Sequence, residues 1–161
     1  MKLIVLTGLA VKAKALLTHD LASHFLSEGQ RVAILDNANV REDVADLDVE
    51  LVNMRGGCAC CAVAGKLYGC ADDLIQTADV AIMAADSQTH VDNLMVVLDN
   101  LMDGAKGPIA VLTVALVDER TTCCFPYVAE TLEASVDLTL HAPFTIDAII
   151  SEAPFAVEES S

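Results

Sequence analysis

Three of the six cysteines fall within four consecutive residues, at Cys58, Cys60 and Cys61. Thiolates at this spacing suit soft ions such as Zn²⁺ and Cu(I), iron–sulfur clusters, and thiol–disulfide exchange. Gly56 and Gly57 precede the cysteines and allow a turn tight enough for the sulfurs to converge on one ion. The motif therefore predicts a metal or redox site, with the filling of a small apolar space as the alternative.

The remaining cysteines are candidates for a fourth ligand. Cys70 lies on the apolar stripe of a predicted helix that ends near Thr77, so we expect its side chain to face the core. Cys123 and Cys124 form a vicinal pair in a predicted loop before Pro126, and adjacent cysteines rarely bridge each other. The pair is interpreted as ligands, as redox thiols or as residues without a function. Water or a second subunit are the other sources of a fourth ligand.

The histidines give a weaker indication of chemistry. His90 follows Asp86 by four residues, a spacing at which a carboxylate can orient a metal-binding imidazole. A surface or helix-capping role is the simpler interpretation, and we adopt it. His19 and His24 fall on the first predicted helix, away from the strand ends, and receive no chemical role.

Residues 8–15 (GLAVKAKA) follow the first predicted strand, where α/β nucleotide-binding proteins carry a phosphate loop. A functional loop has the form G-x-x-x-x-G-K-[ST], in which the glycines open a nest of N–H groups and the hydroxyl holds Mg²⁺. Ala13 replaces the second glycine and Ala15 replaces the hydroxyl residue. We therefore predict no catalytic residues, no tight Mg–nucleotide binding, and only a weak anion site at Lys12 and Lys14.

The composition of the 161 residues limits the kinds of partner. Asp and Glu number 24 against 9 Lys and Arg, and the formal charge of −15 repels nucleic acids and anionic membrane surfaces. Aromatic residues make up 4%, which disfavours a base-stacking platform. No apolar run reaches the roughly 18 residues of a membrane-spanning helix. Metal ions and basic protein surfaces remain as partners, and the 54% of hydrophobic residues favours a homodimer.

The first 15 residues are similar to a short signal peptide, because Lys2 precedes an apolar stretch that ends near Val11 and a small-residue site follows. The single lysine at the start and a helical pattern that begins at once argue against a signal peptide. Clustered cysteines also suit a reducing compartment better than they suit a disulfide framework. We therefore expect a cytoplasmic protein.

Apolar runs separated by amphipathic helical patterns predict one α/β domain over residues 1–155 and a polar tail over 156–161. The predicted strands cover 2–7, 31–36, 49–54, 80–85, 109–117 and 136–140. The predicted helices lie between Gly8 and Gly29, within 37–48, and over 63–77, 91–104, 126–134 and 144–152. Strands that are apolar throughout indicate three layers, with a mostly parallel sheet covered by helices on both faces. Ligands of such sheets bind at the carboxyl ends of the strands, where the cysteine motif falls.

The chain resembles the CobW-type metallochaperone GTPases, which are relatives of the hydrogenase and urease maturation proteins and have a P-loop NTPase-like fold. Their phosphate loop GFLGAGKTTLL would correspond to residues 8–17, and their second strand VAVIENE to residues 32–37 with Ala38. Their G-C-x-C-C motif follows a strand and opens a helix, and its counterpart here is residues 57–61. The order and context of these segments agree over roughly the first 140 residues.

Two further motifs of that family are missing. The E-T-S-G segment that senses the γ-phosphate would fall on residues 84–87 (AADS), and the guanine-reading N-K-x-D on residues 141–144 (HAPF). The resemblance thus implies a non-hydrolysing pseudo-GTPase that binds zinc, another thiophilic metal or an iron–sulfur cluster. It would serve as metal carrier, scaffold or accessory for a metalloprotein or a maturation factor. The alternatives are a pseudo-GTPase that binds a protein partner without metal, and a thiol–disulfide protein using Cys60 with Cys61 or the 123/124 pair.

Overall fold

The computed structural model describes residues 1–152, and the predicted tail at 156–161 lies outside them. Its strands are β1 (Lys2–Thr7), β2 (Val32–Asp36), β3 (Glu50–Asn53), β4 (Val80–Ala84), β5 (Ala110–Val117) and β6 (Leu138–His141). They form one sheet in the order β3-β2-β4-β1-β5-β6. Every neighbouring pair in this sheet is parallel.

Helices connect the strands and cover both faces of the sheet. They are α1 (Val11–Ser27), α2 (Ala64–Thr77), α3 (Val91–Gly104), α4 (Glu119–Cys124), α5 (Pro126–Ser135) and α6 (Asp147–Ile150). Successive residues of β1 point to opposite sides, so Leu3 and Val5 pack with α2 and α3, whereas Ile4 and Leu6 pack with α1. The predicted three-layer α/β fold with a parallel sheet is confirmed.

The burial of each strand follows its place in the sheet. Every residue of β2 and of β4 is buried, as expected for inner parallel strands covered on both faces. The edge strand β3 is mostly exposed. Within residues 1–152, no helix has both the length and the apolar composition that a bilayer crossing requires.

The segment between β2 and β3 corrects one sequence-based prediction. The sequence predicts a short helix within residues 37–48, but this segment contains turns and no helix. The carboxylate of Asp36 accepts the N–H of Val40 at 2.8 Å, and this side-chain bond replaces the start of a helical ladder. Val40 and Val44 still pack against the α1 side of the sheet.

The segment after β5 and the last helix give two further corrections. The sequence predicts a loop before Pro126, whereas the structure has helix α4, whose N-cap Asp118 accepts the N–H of Thr121 at 2.8 Å. With six residues, α4 is too short to show an apolar period in the sequence. The predicted helix at 144–152 is limited to the four residues of α6.

Candidate metal centre

The loop between β3 and α2 carries the three clustered cysteines, and we call residues 56–63 the cysteine loop. Gly56 and Gly57 have φ angles of 122° and 141°, which residues with side chains rarely adopt. A Cβ on Gly57 would also overlap the Cβ of Ala62. Glycine is therefore needed for the loop to fold back on itself before α2 begins at Ala64.

The fold of this loop brings three sulfurs together. Cys58 Sγ lies 2.8 Å from Cys61 Sγ and 3.0 Å from Cys60 Sγ. All three lie within 4.8 Å of one another, which makes them a possible metal-binding group within residues 1–152. Zn–S bonds of about 2.3 Å place the sulfurs of a tetrahedral site about 3.8 Å apart, so small outward rotations would admit an ion. Cys60 is buried, Cys58 is partly buried and Cys61 is exposed, which leaves the group open to solvent on one side.

Hydrogen bonds make the thiol of Cys58 more acidic than that of Cys60. Bonds from the side chains of Cys60 and Cys61, and then from the backbone of Ala62, lower the pKa of Cys58 to about 7. Burial, followed by the hydrogen bond with Cys58, raises the pKa of Cys60 to about 11. The lowered pKa of Cys58 favours the thiolate, the form that binds a soft cation. The same cation must displace the proton of Cys60.

The buried side chain of Asn37, which follows β2, ties the cysteine loop to the β4–α3 loop (residues 85–90). Its Nδ2 donates to the carbonyls of Met54 and Gly57 at 2.9 Å and 2.8 Å. Its Oδ1 accepts the N–H of Asp86 at 2.6 Å. Because Asn37 is only 4% exposed, the protein rather than water satisfies these groups. This role of Asn37 could not be predicted from the sequence, since its partners lie 17 to 49 residues away.

Two direct contacts also join the cysteine loop to the β4–α3 loop. The N–H of Ala59 donates to Thr89 Oγ1 at 3.2 Å. The backbone N–H of His90 donates to the sulfur of Cys60 and opposes part of the rise in its pKa. His90 is the N-cap residue of α3, without a side-chain capping bond, and its side chain is exposed. The contact between His90 and Cys60 could not be predicted from the sequence, because it depends on β4 lying beside β2.

The structure does not bring the remaining cysteines to this group. Cys70 packs partly buried against the core, and its pKa is raised, chiefly by burial and also by the charges of Asp73 and Glu50. Glu50 begins β3, whereas the cysteine loop follows the end of that strand. Cys123 and Cys124 are exposed at the end of α4, after β5. None of the three belongs to the group formed by the clustered sulfurs.

Lys14, one of the two lysines predicted at an anion site, lies inside the protein with 0% exposure. Its Nζ donates to the carbonyls of Gly8 and Ala85, both at 2.8 Å, and to Ser87 Oγ at 3.1 Å. These three bonds use all the donors of the ammonium group. Burial lowers the pKa of Lys14 to about 8, and the charge of Asp86 opposes part of that change. An anion at Lys14 would have to displace one of these internal partners.

Lys12, the other predicted anion-site residue, is exposed and lines a cavity of about 610 Å³. Arg120 lines the same cavity, together with apolar side chains that include Phe125 and Phe144. Helix α1 already begins at Val11, so part of the segment that matches a phosphate loop is helical. Lys12 therefore remains a candidate for a weak anion site, and Arg120 is a second cation at this cavity, which no motif in the sequence indicated.

The comparisons with known proteins concern the fold. No protein-family model and no curated protein matches the chain. The signal recognition particle receptor FtsY from Elizabethkingia anophelis, in complex with GDP, is similar with a TM-score of 0.61 and 19% identity over 87% of this chain and 47% of its own. The signal recognition particle 54 kDa protein from Aeropyrum pernix, in complex with GDP, has a TM-score of 0.62 and 15% identity, over 90% of this chain and 35% of its own. APS kinase CysC from Mycobacterium tuberculosis, in complex with AMPPNP and APS, has a TM-score of 0.52 and 17% identity, over 92% of both chains.

These similarities place the chain in a fold class. It is a single α/β domain with a six-stranded parallel sheet, and its structural neighbours are P-loop nucleotide-binding proteins. The predicted P-loop NTPase-like fold is therefore confirmed. The chain spans about half the length of the FtsY chain that it matches. At these identities the likeness shows the fold alone.

Proposed function

We propose that the protein binds a thiophilic metal ion or metal cluster through Cys58, Cys60 and Cys61. The observation that carries the proposal is the convergence of three free thiols within 4.8 Å at the carboxyl end of β3. Thiolates favour zinc, Cu(I) or an iron–sulfur cluster over harder ions. Because Cys61 is exposed, a bound ion is accessible to a second protein. This accessibility supports a role as carrier, scaffold or accessory in metallocentre assembly.

The proposed partner is a metalloprotein or a maturation factor in the cytoplasm. The formal charge of −15 favours a partner with a basic docking surface. Exposed apolar side chains, among them Leu16 and Tyr127 at 65% and 78% exposure, supply surface for a homodimer. We propose that the chain is a CobW-like protein over residues 1–152.

The metal-binding proposal is tested by replacing the clustered cysteines together. We expect the wild-type protein, purified without chelator and supplied with zinc, to hold zinc in a fixed stoichiometry. The Cys58→Ser, Cys60→Ser, Cys61→Ser triple variant should hold no zinc, because it lacks the sulfurs that bind the ion. Elemental analysis by mass spectrometry measures the bound metal, and circular dichroism checks the fold.

The remaining three cysteines provide the matched control. The Cys70→Ser, Cys123→Ser, Cys124→Ser variant removes as many thiols but none from the cysteine loop, and it should retain the metal. Equal loss from both triple variants, or a wild-type protein that takes up no zinc, contradicts the proposal.

We further propose that the protein does not hydrolyse nucleotides. Ala13 and Ala15 replace the glycine and the hydroxyl residue of a phosphate loop, and Lys14 has all its donors engaged inside the protein. Calorimetry with Mg–GTP and with Mg–ATP is expected to show no binding tighter than about millimolar, or about −4 kcal/mol. A micromolar dissociation constant for either nucleotide would refute this part of the proposal.

Thiol–disulfide exchange is the second candidate, favoured by one pair of sulfurs. Cys58 Sγ and Cys61 Sγ lie 2.8 Å apart, and the pKa of Cys58 is lowered to about 7. A Cys-x-x-Cys pair with one acidic thiol is typical of such chemistry. This pair differs from the two pairs that the sequence suggested. Metal-free protein that forms a reversible Cys58–Cys61 disulfide would favour this candidate over metal binding.

A further inference from the structure

The three clustered sulfurs leave a tetrahedral ion one ligand short. Structural zinc sites have four protein ligands, and three cysteines with one histidine are a common set. Cys70 lies near Glu50 at the start of β3, and Cys123 and Cys124 are exposed at the end of α4, so none of these cysteines is placed to supply the fourth ligand within this chain as it is folded. A fourth ligand from this chain must therefore come from a segment packed against the cysteine loop.

The β4–α3 loop is hydrogen-bonded to the cysteine loop. The N–H of Ala59 donates to Thr89 Oγ1 at 3.2 Å, and the next residue, His90, donates its backbone N–H to the sulfur of Cys60. A backbone bond to the sulfur places the Cα of His90 close to the cluster. The imidazole of His90 thus belongs to a residue whose backbone contacts the group of three sulfurs, which needs one further ligand.

The side chain of His90 is also free to bind. Three of the four histidines have side-chain partners: His19 with Asp46, His24 with Phe25, and His141 with Glu133. Among the hydrogen bonds and ion pairs of residues 1–152, none uses the imidazole of His90, which is exposed. Its ring nitrogens lie outside the 4.8 Å group of sulfurs, so binding requires a rotation of this side chain.

From this juxtaposition we infer that His90 is the fourth ligand of the metal held by Cys58, Cys60 and Cys61. The inference rests on the metal-binding function proposed above. A bound ion would then link the start of α3 to the loop that precedes α2. Loss of the histidine would leave an ion bound by three sulfurs and a weaker fourth ligand such as water.

Cobalt(II) tests the inference, because its visible spectrum reports the number and type of ligands of a zinc-type site. The informative variant is His90→Asn, since asparagine favours the N-cap position and should preserve the start of α3. We expect His90→Asn to weaken Co²⁺ binding at least about tenfold and to alter the d–d bands. His90→Cys should restore tight binding and increase the thiolate-to-cobalt charge-transfer band by about a third, since it adds a fourth sulfur to three.

His141→Asn is the matched control, because it also removes an exposed histidine and should leave affinity and spectrum unchanged. Wild-type affinity and d–d bands in His90→Asn overturn the inference and leave the proposed function standing. A wild-type protein that binds neither cobalt nor zinc overturns the proposed function itself. Circular dichroism of each variant separates loss of a ligand from loss of the fold.

Discussion

Replacing Lys14 with methionine is expected to lower the free energy of unfolding by about 3 kcal/mol at pH 7. Methionine has a similar volume, but it leaves the carbonyls of Gly8 and Ala85 and the hydroxyl of Ser87 without their donor. Buried polar groups that lose a partner cost about 1 to 3 kcal/mol each. Urea unfolding followed by circular dichroism measures the difference.

The same substitution should remove a pH dependence of stability. Folding lowers the pKa of Lys14 from an ordinary 10.5 to about 8. Between these values the unfolded chain binds a proton that the folded chain does not, so the free energy of unfolding rises with pH. The rise attributable to Lys14 is about 3 kcal/mol over this interval. The Lys14→Met variant lacks it, and the stability difference between the two proteins should widen from pH 8 to pH 10.5.

Lys12→Met is the matched control, because Lys12 lies on the same helix and is exposed. Its removal should change the free energy of unfolding by no more than about 0.5 kcal/mol. A Lys14→Met variant as stable as the wild type at pH 7 would contradict the stabilising role of the buried hydrogen bonds. Parallel pH profiles of the two proteins would contradict the lowered pKa of Lys14.

Gly8→Ala is expected to destabilise the protein by about 3 kcal/mol or more. Gly8 has a φ of 122°, a conformation that strains any residue with a side chain. A Cβ at this position would lie 2.6 Å from the carbonyl oxygen of Leu116, which is fully buried in β5. The clash involves backbone of an inner strand, which has no room to move. Thermal and urea unfolding of the variant measure the effect.

Gly69→Ala, the same chemical change elsewhere, should have the opposite sign. Gly69 lies in α2 and is exposed, and beyond its chain neighbours and the nearby backbone of its own helix no atom lies within 4 Å of the position of an added Cβ. Alanine is favoured over glycine in a helix interior by about 1 kcal/mol, so this variant should be more stable than the wild type. Destabilisation by Gly69→Ala, or tolerance of Gly8→Ala, would contradict these local structures.

The elements that the sequence predicted best are those with long, regular apolar patterns. The predicted bounds of β1 and α3 are those observed, because an apolar run or a full amphipathic stripe is bounded by glycine or polar residues. The sequence did not predict helix α4 or the turns between β2 and β3. In both segments a carboxylate, Asp118 or Asp36, binds a backbone N–H nearby, and such bonds leave no hydrophobic period.

The candidate site also has features that follow from the sequence and features that do not. The proximity of Cys58, Cys60 and Cys61 follows from their spacing, since thiols within four residues of one chain can meet in any tight turn. The burial of Lys14 did not follow from the sequence, because one of its acceptors, the carbonyl of Ala85, lies 71 residues away. The position of His90 beside the sulfurs did not follow either.

The sequence by itself determined a layered α/β domain and a local cluster of thiols, because both arise from residues that are neighbours in the chain. The tertiary structure alone decided which other groups meet that cluster. The order of the sheet places β4 between β2 and β1, so the loop after β4 contacts both the cysteine loop and Lys14. Contacts between residues 30 to 71 positions apart depend on this strand order, and no local pattern encodes it.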